Sequence, residues 1–135
     1  MKIAKPVNCL LLIINVMVCA CSINKPGLYH RKNGYYSFSV KKGSNASVSI
    51  IEGAVYDADD KKPLPSIGAV KTNSDNKVIC RIDSKGHYQA RVNVRSYRFT
   101  GVAVGYYSVT TKHIRIKAGD TLVVNFYLKP QMFFE

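Results

Sequence analysis

The stretch Ile116–Pro130, "IKAGDTLVVNFYLKP", decides the fold. Beyond the turn residues Ala118-Gly119-Asp120, Leu122, Val124, Phe126 and Leu128 fall on one side of an extended chain, and Thr121, Val123, Asn125 and Tyr127 on the other. Successive side chains of a strand point to opposite faces, so this alternation describes a strand with one face laid on a core. Pro130 has no backbone N–H to give a ladder and ends it. Gly119 fits the turn, and the two strands it joins, "KHIRIK" and "TLVVNFYL", read as the last hairpin.

Working upstream, the same period recurs between clusters of turn residues. In "KHIRIK" Ile114 and Ile116 face inward, with His113, Arg115 and Lys117 outward. "HYQARVNV" puts Tyr88, Ala90, Val92 and Val94 on one side and His87, Gln89, Arg91 and Asn93 on the other. "YRFTGVAVG" has apolar residues at both parities, which predicts a strand covered on both faces or kinked at Gly101. "VICRID" aligns Cys80 with Val78 and Ile82 as a buried thiol acting as a small hydrophobe. "IGAVKT" and "SVSIIEGAVYD" complete the set, the latter with Val48 and Ile50 on one face and an interruption at Gly53 that suits a bulge. About seven short strands separated by turn signals describe an all-β sandwich over residues 47–130, with a short tail at 131–135. Nine Tyr and five Phe with no Trp agree with strands.

The N-terminus has a different grammar. Lys2 and Lys5 precede an apolar run from Val7 to Ala20, the layout of a secretory signal peptide over residues 1–20. A membrane span needs roughly 20 apolar residues. The run closes on Val18-Cys19-Ala20-Cys21-Ser22, which resembles the lipobox of bacterial lipoproteins and implies lipidation of Cys21, with Ala20 as the small residue before it. Acyl chains contribute about 0.8 kcal/mol per buried methylene, so the membrane is the first partner and no spanning helix is needed. Ser22 offers no inner-membrane retention aspartate, which points to the outer membrane of a bacterial envelope.

Residues 21–46 then read as lipid anchor and tether, with Asn33-Gly34 fitting a type I′ turn and a hairpin over 28–40. The formal net charge of +12 invites a nucleic-acid partner, but an exported location argues against one. Anionic lipid or glycan surfaces fit the charge better.

Several pieces stand in a telling order: Gly53, Val55 and Asp57 in "EGAVYDADDKKPLP", the Asp83–Gly86 turn "DSKG" followed by Tyr88, Gly105-Tyr106, and "IKAGDTLVVNFYLKP". Over residues 48–130 this set resembles the carboxypeptidase regulatory-like domain, a transthyretin-like β-sandwich. The resemblance implies an accessory, non-catalytic module with no cofactor. The chain departs from the family pattern at Ser66, at Ile82 and in "SIGAV", which is one residue longer than usual. Among transthyretin-like proteins the hydroxyisourate hydrolase relies on a C-terminal Tyr-Arg-Gly-Ser, where this chain reads Met132-Phe133-Phe134-Glu135.

Candidate chemistry is sparse. Asp57, Asp59 and Asp60 cluster as in a calcium loop, but the sixth and twelfth positions hold Lys62 and Gly68, so a solvated turn is expected. His30, His87 and His113 have no metal-ligand spacing. Arg81, Arg91, His113, Arg115 and Lys117 make a candidate basic face, and Tyr29, Tyr35 and Tyr36 candidate contacts on the tether. The expectation is a non-catalytic interaction module that contacts an envelope protein assembly, or alternatively an anionic or sugar-containing polymer.

Overall fold

The computed structural model describes residues 26–43, 48–65, 67–72 and 77–133. The expected signal peptide and the lipid acceptor Cys21 lie outside the described residues. The chain is all-β. Its strands are β1 (Gly27–Arg31), β2 (Gly34–Lys42), β3 (Ser49–Asp57), β4 (Gly68–Thr72), β5 (Lys77–Arg81), β6 (His87–Val92), β7 (Ser96–Tyr97), β8 (Phe99–Ala103), β9 (Val109–Thr110), β10 (Ile114–Arg115) and β11 (Asp120–Leu128). They form a five-stranded sheet ordered β1-β2-β11-β3-β6, a four-stranded sheet ordered β5-β4-β8-β9, and the small pair β10-β7.

The inward row of β11 is as its alternation requires: Leu122, Val124, Phe126 and Leu128 are buried. They meet Ile51 and Val55 of β3, Tyr36 of β2, and from the opposing sheet Val70, Phe99 and Val109. Gly101 of β8 is the point of closest fit, because a Cβ there would strike the Phe126 ring. Its glycine therefore serves packing between the sheets, and the run from β7 into β8 shows simple alternation, with Tyr97, Phe99 and Gly101 buried and Arg98 exposed.

Four expectations are corrected. Residues 27–42, assigned to a tether, are β1 and β2, and β2 runs antiparallel along the whole of β11 from Lys42↔Asp120 to Gly34↔Leu128. The expected hairpin does form, but its turn residues are Lys32 and Asn33, neither with the positive φ of a type I′ turn, and Gly34 already belongs to β2. The hairpin joins the main sheet and accounts, with β7 and β9, for the eleven strands. Pairing there is driven by burial: Tyr36 is 1% exposed and Gly34 lies so close to the Tyr127 carbonyl that a Cβ could not fit. The turn at Gly119 does not close a hairpin either, since β10 pairs with β7 while β11 lies between β2 and β3, parallel to β3. Finally, β3 turns Ser49 and Ile51 inward and leaves Val48 exposed, the reverse of the predicted face.

Gly53 does interrupt a ladder, without shifting the register. The β3–β11 pairing runs through Glu52↔Val123, lapses, and resumes in phase at Val55↔Phe126. At the gap a Cβ on Gly53 would collide with the Val124 carbonyl. Side chains supply the missing bonds: the buried Tyr88 hydroxyl donates to Val124 O at 2.6 Å, and Ala54 N donates to Asn125 Oδ1 at 2.9 Å.

Candidate functional site

The pieces that carried the family resemblance converge on one seam. Val55 N donates to Gly86 O at 3.0 Å, and Leu64 N returns to Val55 O at 2.9 Å. Asp57 Oδ1 accepts from Asp59 N at 2.7 Å and Asp60 N at 3.3 Å, while Oδ2 accepts the Tyr106 hydroxyl at 2.9 Å. Burial pushes the Asp57 carboxyl up, but the bonds from Asp59 N–H, the Tyr106 hydroxyl and Asp60 N–H together hold it below the ordinary carboxylate range. The same hydrogen bond raises the Tyr106 phenol. Asp83 Oδ1 accepts from His87 N at 2.9 Å and Lys85 N at 2.8 Å, and those two bonds lower its carboxyl. Gly86, at φ 82°, closes that turn with Pro63 packed where a side chain would stand. The acidic cluster is thus a turn in which both Asp57 oxygens have donors and Asp60 Oδ1 accepts from Lys62 N, and among the described residues no three His, Cys, Asp or Glu gather to hold a metal ion.

Arg81, Arg91, His113, Arg115 and Lys117 are all exposed, but they do not share one groove. Arg81 lines a groove of ≈ 520 Å³ beside Tyr56 and Asp83; Arg91 lines a smaller one beside Tyr97. Arg115 sits opposite Ser96 in the β10–β7 pair, with Lys117 just beyond it. The separation follows from topology: β5 and β6 are the edges of different sheets, and β10 belongs to neither.

The tyrosines divide as well. Tyr36 is core, stacked on Tyr29 at 5.0 Å, and its hydroxyl accepts from Lys112 N at 3.0 Å, so its candidacy as a surface contact is corrected. Tyr35 stands on the outer face of the five-stranded sheet, where it stacks on Tyr127 at 4.4 Å, and Tyr127 on Tyr56 at 5.0 Å. Burial, then the neighbouring phenols of Tyr56 and Tyr35, raise the Tyr127 hydroxyl. Cys80 is half-buried and directs its Sγ to the carbonyls of Arg81 and Gln89, each at 3.2 Å; it packs against the core and also borders the Tyr56 groove.

Two surfaces were missed by sequence reasoning. The first is apolar. Val104 N donates to Ile67 O at 3.0 Å and Gln131 N to Gly105 O at 2.9 Å, which gathers three separate loops. Ile67, Ala69, Ile82, Val102, Ala103 and the 79% exposed Val104 line a mainly apolar groove with Arg81, and Met132 and Phe133, after the Gln131 bond, are 75% and 80% exposed. The second is cationic. Arg31, Lys32, Arg98, Lys112 and His113 line a cleft of ≈ 540 Å³ with Ser108 and Thr110, and no acidic residue is among the described residues that line it. His113 was singled out by strand parity, and Arg31 and Lys32 lie in the basic, aromatic stretch "YHRKNGYY". The cleft, however, joins the end of β1 and its turn, residue 98 and the segment 108–113 around β9, which no periodicity brings together.

This geometry defines the described residues as an all-β, sandwich-like fold. No protein-family model matches the chain, and no curated protein matches it by sequence.

Proposed function

We propose that this chain is a non-catalytic interaction module of the bacterial envelope, a transthyretin-like sandwich of the carboxypeptidase regulatory-like kind. It is held to the outer membrane by acyl chains on Cys21 and docks on a membrane protein assembly. The observation that carries the docking is the apolar groove lined by Ile67, Ala69, Ile82, Val102, Ala103 and the exposed Val104. Contiguous exposed apolar groups around a groove are a contact surface rather than a solvated one. The family reading is supported by the seam, where the "GAVYD", "DSKG" and Gly105-Tyr106 pieces bond to one another.

The test places a photo-cross-linking residue at position 104 or, as control, at position 85 in intact cells. A discrete membrane-protein adduct at 104 and none at 85, surviving high salt after lysis, is the expected outcome. Equal labelling at both positions would remove the docking reading. Radioactive fatty acid should label the wild type and not Cys21→Ala. A second reading, recognition of an anionic envelope polymer, is favoured by the cationic cleft.

A further inference from the structure

We propose that the cleft between the β1–β2 turn and the 108–113 segment is an oxyanion site that takes the phosphate groups of a polyanionic chain. The inference rests on the second reading above and is independent of the apolar end.

The lining carries the first step. Arg31, Lys32, Arg98, Lys112 and His113 converge from three separate segments, and no carboxylate stands among the described residues that line the cleft. Folded proteins usually intersperse opposite charges on the surface, since like charges held together repel. Here the chain does so elsewhere: Glu52 takes Lys41 at 3.5 Å and Gln89 at 3.2 Å on the outer face of the five-stranded sheet. Among the described residues that line the cleft no opposing charge stands beside these bases, and solvent ions or a ligand can supply it.

The walls are built, which distinguishes the cleft from a scatter of surface lysines. On one side Thr111, buried, bonds Phe99 in both directions: its N–H donates to Phe99 O at 2.8 Å, and its Oγ1 accepts from Phe99 N at 3.1 Å. That hydroxyl also donates to Lys112 O at 2.8 Å, and Lys112 N donates to the Tyr36 hydroxyl at 3.0 Å. On the other side Lys129 N donates to Asn33 O at 3.2 Å and ties the turn to the end of β11. Two of the cations are themselves placed by aromatic rings, Lys112 Nζ 5.2 Å from the Tyr29 centroid and Arg31 Cζ 6.0 Å from that of Tyr36. Rings attract these cations without neutralising them. Fixed walls and fixed charges mean that little ordering is left to do when a ligand enters.

The residue types choose phosphate. Guanidinium groups present paired N–H donors that match phosphate oxygens, and lysine adds point charges. Ser108 and Thr110 border the same space with hydroxyls. A flat bilayer surface cannot enter a concave cleft walled on two sides, so the ligand is a chain that lies in it rather than a membrane plane.

Tripolyphosphate is the probe, titrated calorimetrically into the purified full chain. Saturable binding that weakens as salt rises is expected. Arg31→Gln with Arg98→Gln should weaken it by about tenfold or more, the loss of at least one charge-assisted hydrogen bond. Arg91→Gln with Arg115→Gln, outside the cleft, should leave it within about twofold, and thermal melts check that all variants fold. No binding, or equal losses in the two double variants, overturns the proposal in favour of diffuse charge. Sedimentation with phosphatidylglycerol vesicles without any tripolyphosphate binding overturns it in favour of a membrane-facing surface. A missing cross-link at position 104 would fail the docking reading alone.

Discussion

The seam along β3 and β11 and the cationic cleft are both polar regions on one sandwich, and they treat polarity in opposite ways. In the seam each demand is met internally: where the ladder lapses at Gly53, Tyr88 and Asn125 supply a donor and an acceptor, and Asp57 is surrounded by donors. Among the described residues no buried side-chain nitrogen or oxygen lacks a partner. In the cleft, five basic side chains line one groove with no acid among them. Internal satisfaction marks polar groups that hold the fold, and charge gathered without its opposite marks groups kept for something else. Asp57, in the acidic stretch that the sequence already read as a turn rather than a calcium loop, falls on the structural side of that divide.

That contrast can be broken most sharply at the core beneath the seam. Phe126→Ala removes the ring that fills the space left by Gly101 and should cost about 3–5 kcal/mol of stability, measured by urea unfolding. Gly101→Leu attacks the same contact from the other sheet by overpacking and should cost about 1–3 kcal/mol or more. If either variant unfolds like the wild type, the two sheets do not pack through this pair.

The next effect is within the seam itself. Tyr88→Phe keeps the ring and leaves Val124 O without its donor, a loss of about 1–3 kcal/mol. Asn125→Ala deprives Ala54 N in the same way. By comparison, Arg31→Gln with Arg98→Gln should change stability by no more than about 0.5 kcal/mol, because both side chains are exposed and Arg31 approaches the interior only at 6.0 Å from the Tyr36 ring. A cleft variant as damaging as Tyr88→Phe would erase the distinction between the two regions.

The same contrast explains how much the sequence disclosed. The inward row of β11, the buried pair Ile114 and Ile116, and the Asp83–Gly86 turn were legible, because alternation and turn chemistry act over a few residues. The β1–β2 hairpin was legible but its place in the main sheet was hidden: "YHRKNGYYSFSV" is polar and aromatic, and only the pairing of Tyr36 with the distant Phe126 reveals it as core. The parallel neighbour of β3 was invisible for the same reason, since nothing local specifies which distant strand will lie alongside. The basic face was predicted by parity, which assigns a side chain to the outside of its strand but not to a neighbour. The cleft joins strand ends and turns from separate segments, which no parity brings together.

The smallest expected effect is also the one that separates the two regions by pH. The Asp57 and Asp83 carboxyls are lowered from 3.8, so the folded state binds their protons less readily than the unfolded chain. Their contribution is therefore complete above about pH 4, the unfolded value, and is lost as pH falls through the lower folded values. Asp57→Asn and Asp83→Asn keep an acceptor oxygen but remove the titration. The wild type should melt above both variants at pH 6, and that advantage should shrink as pH drops from about 4 toward 2. Tyr106→Phe, which deletes one of the donors to Asp57, should flatten the wild-type curve in part and leave Asp83 untouched. A lead over the variants that stays constant down to pH 2 would mean these carboxylates are merely solvated. The seam would then be no more internally satisfied at its surface than the cleft.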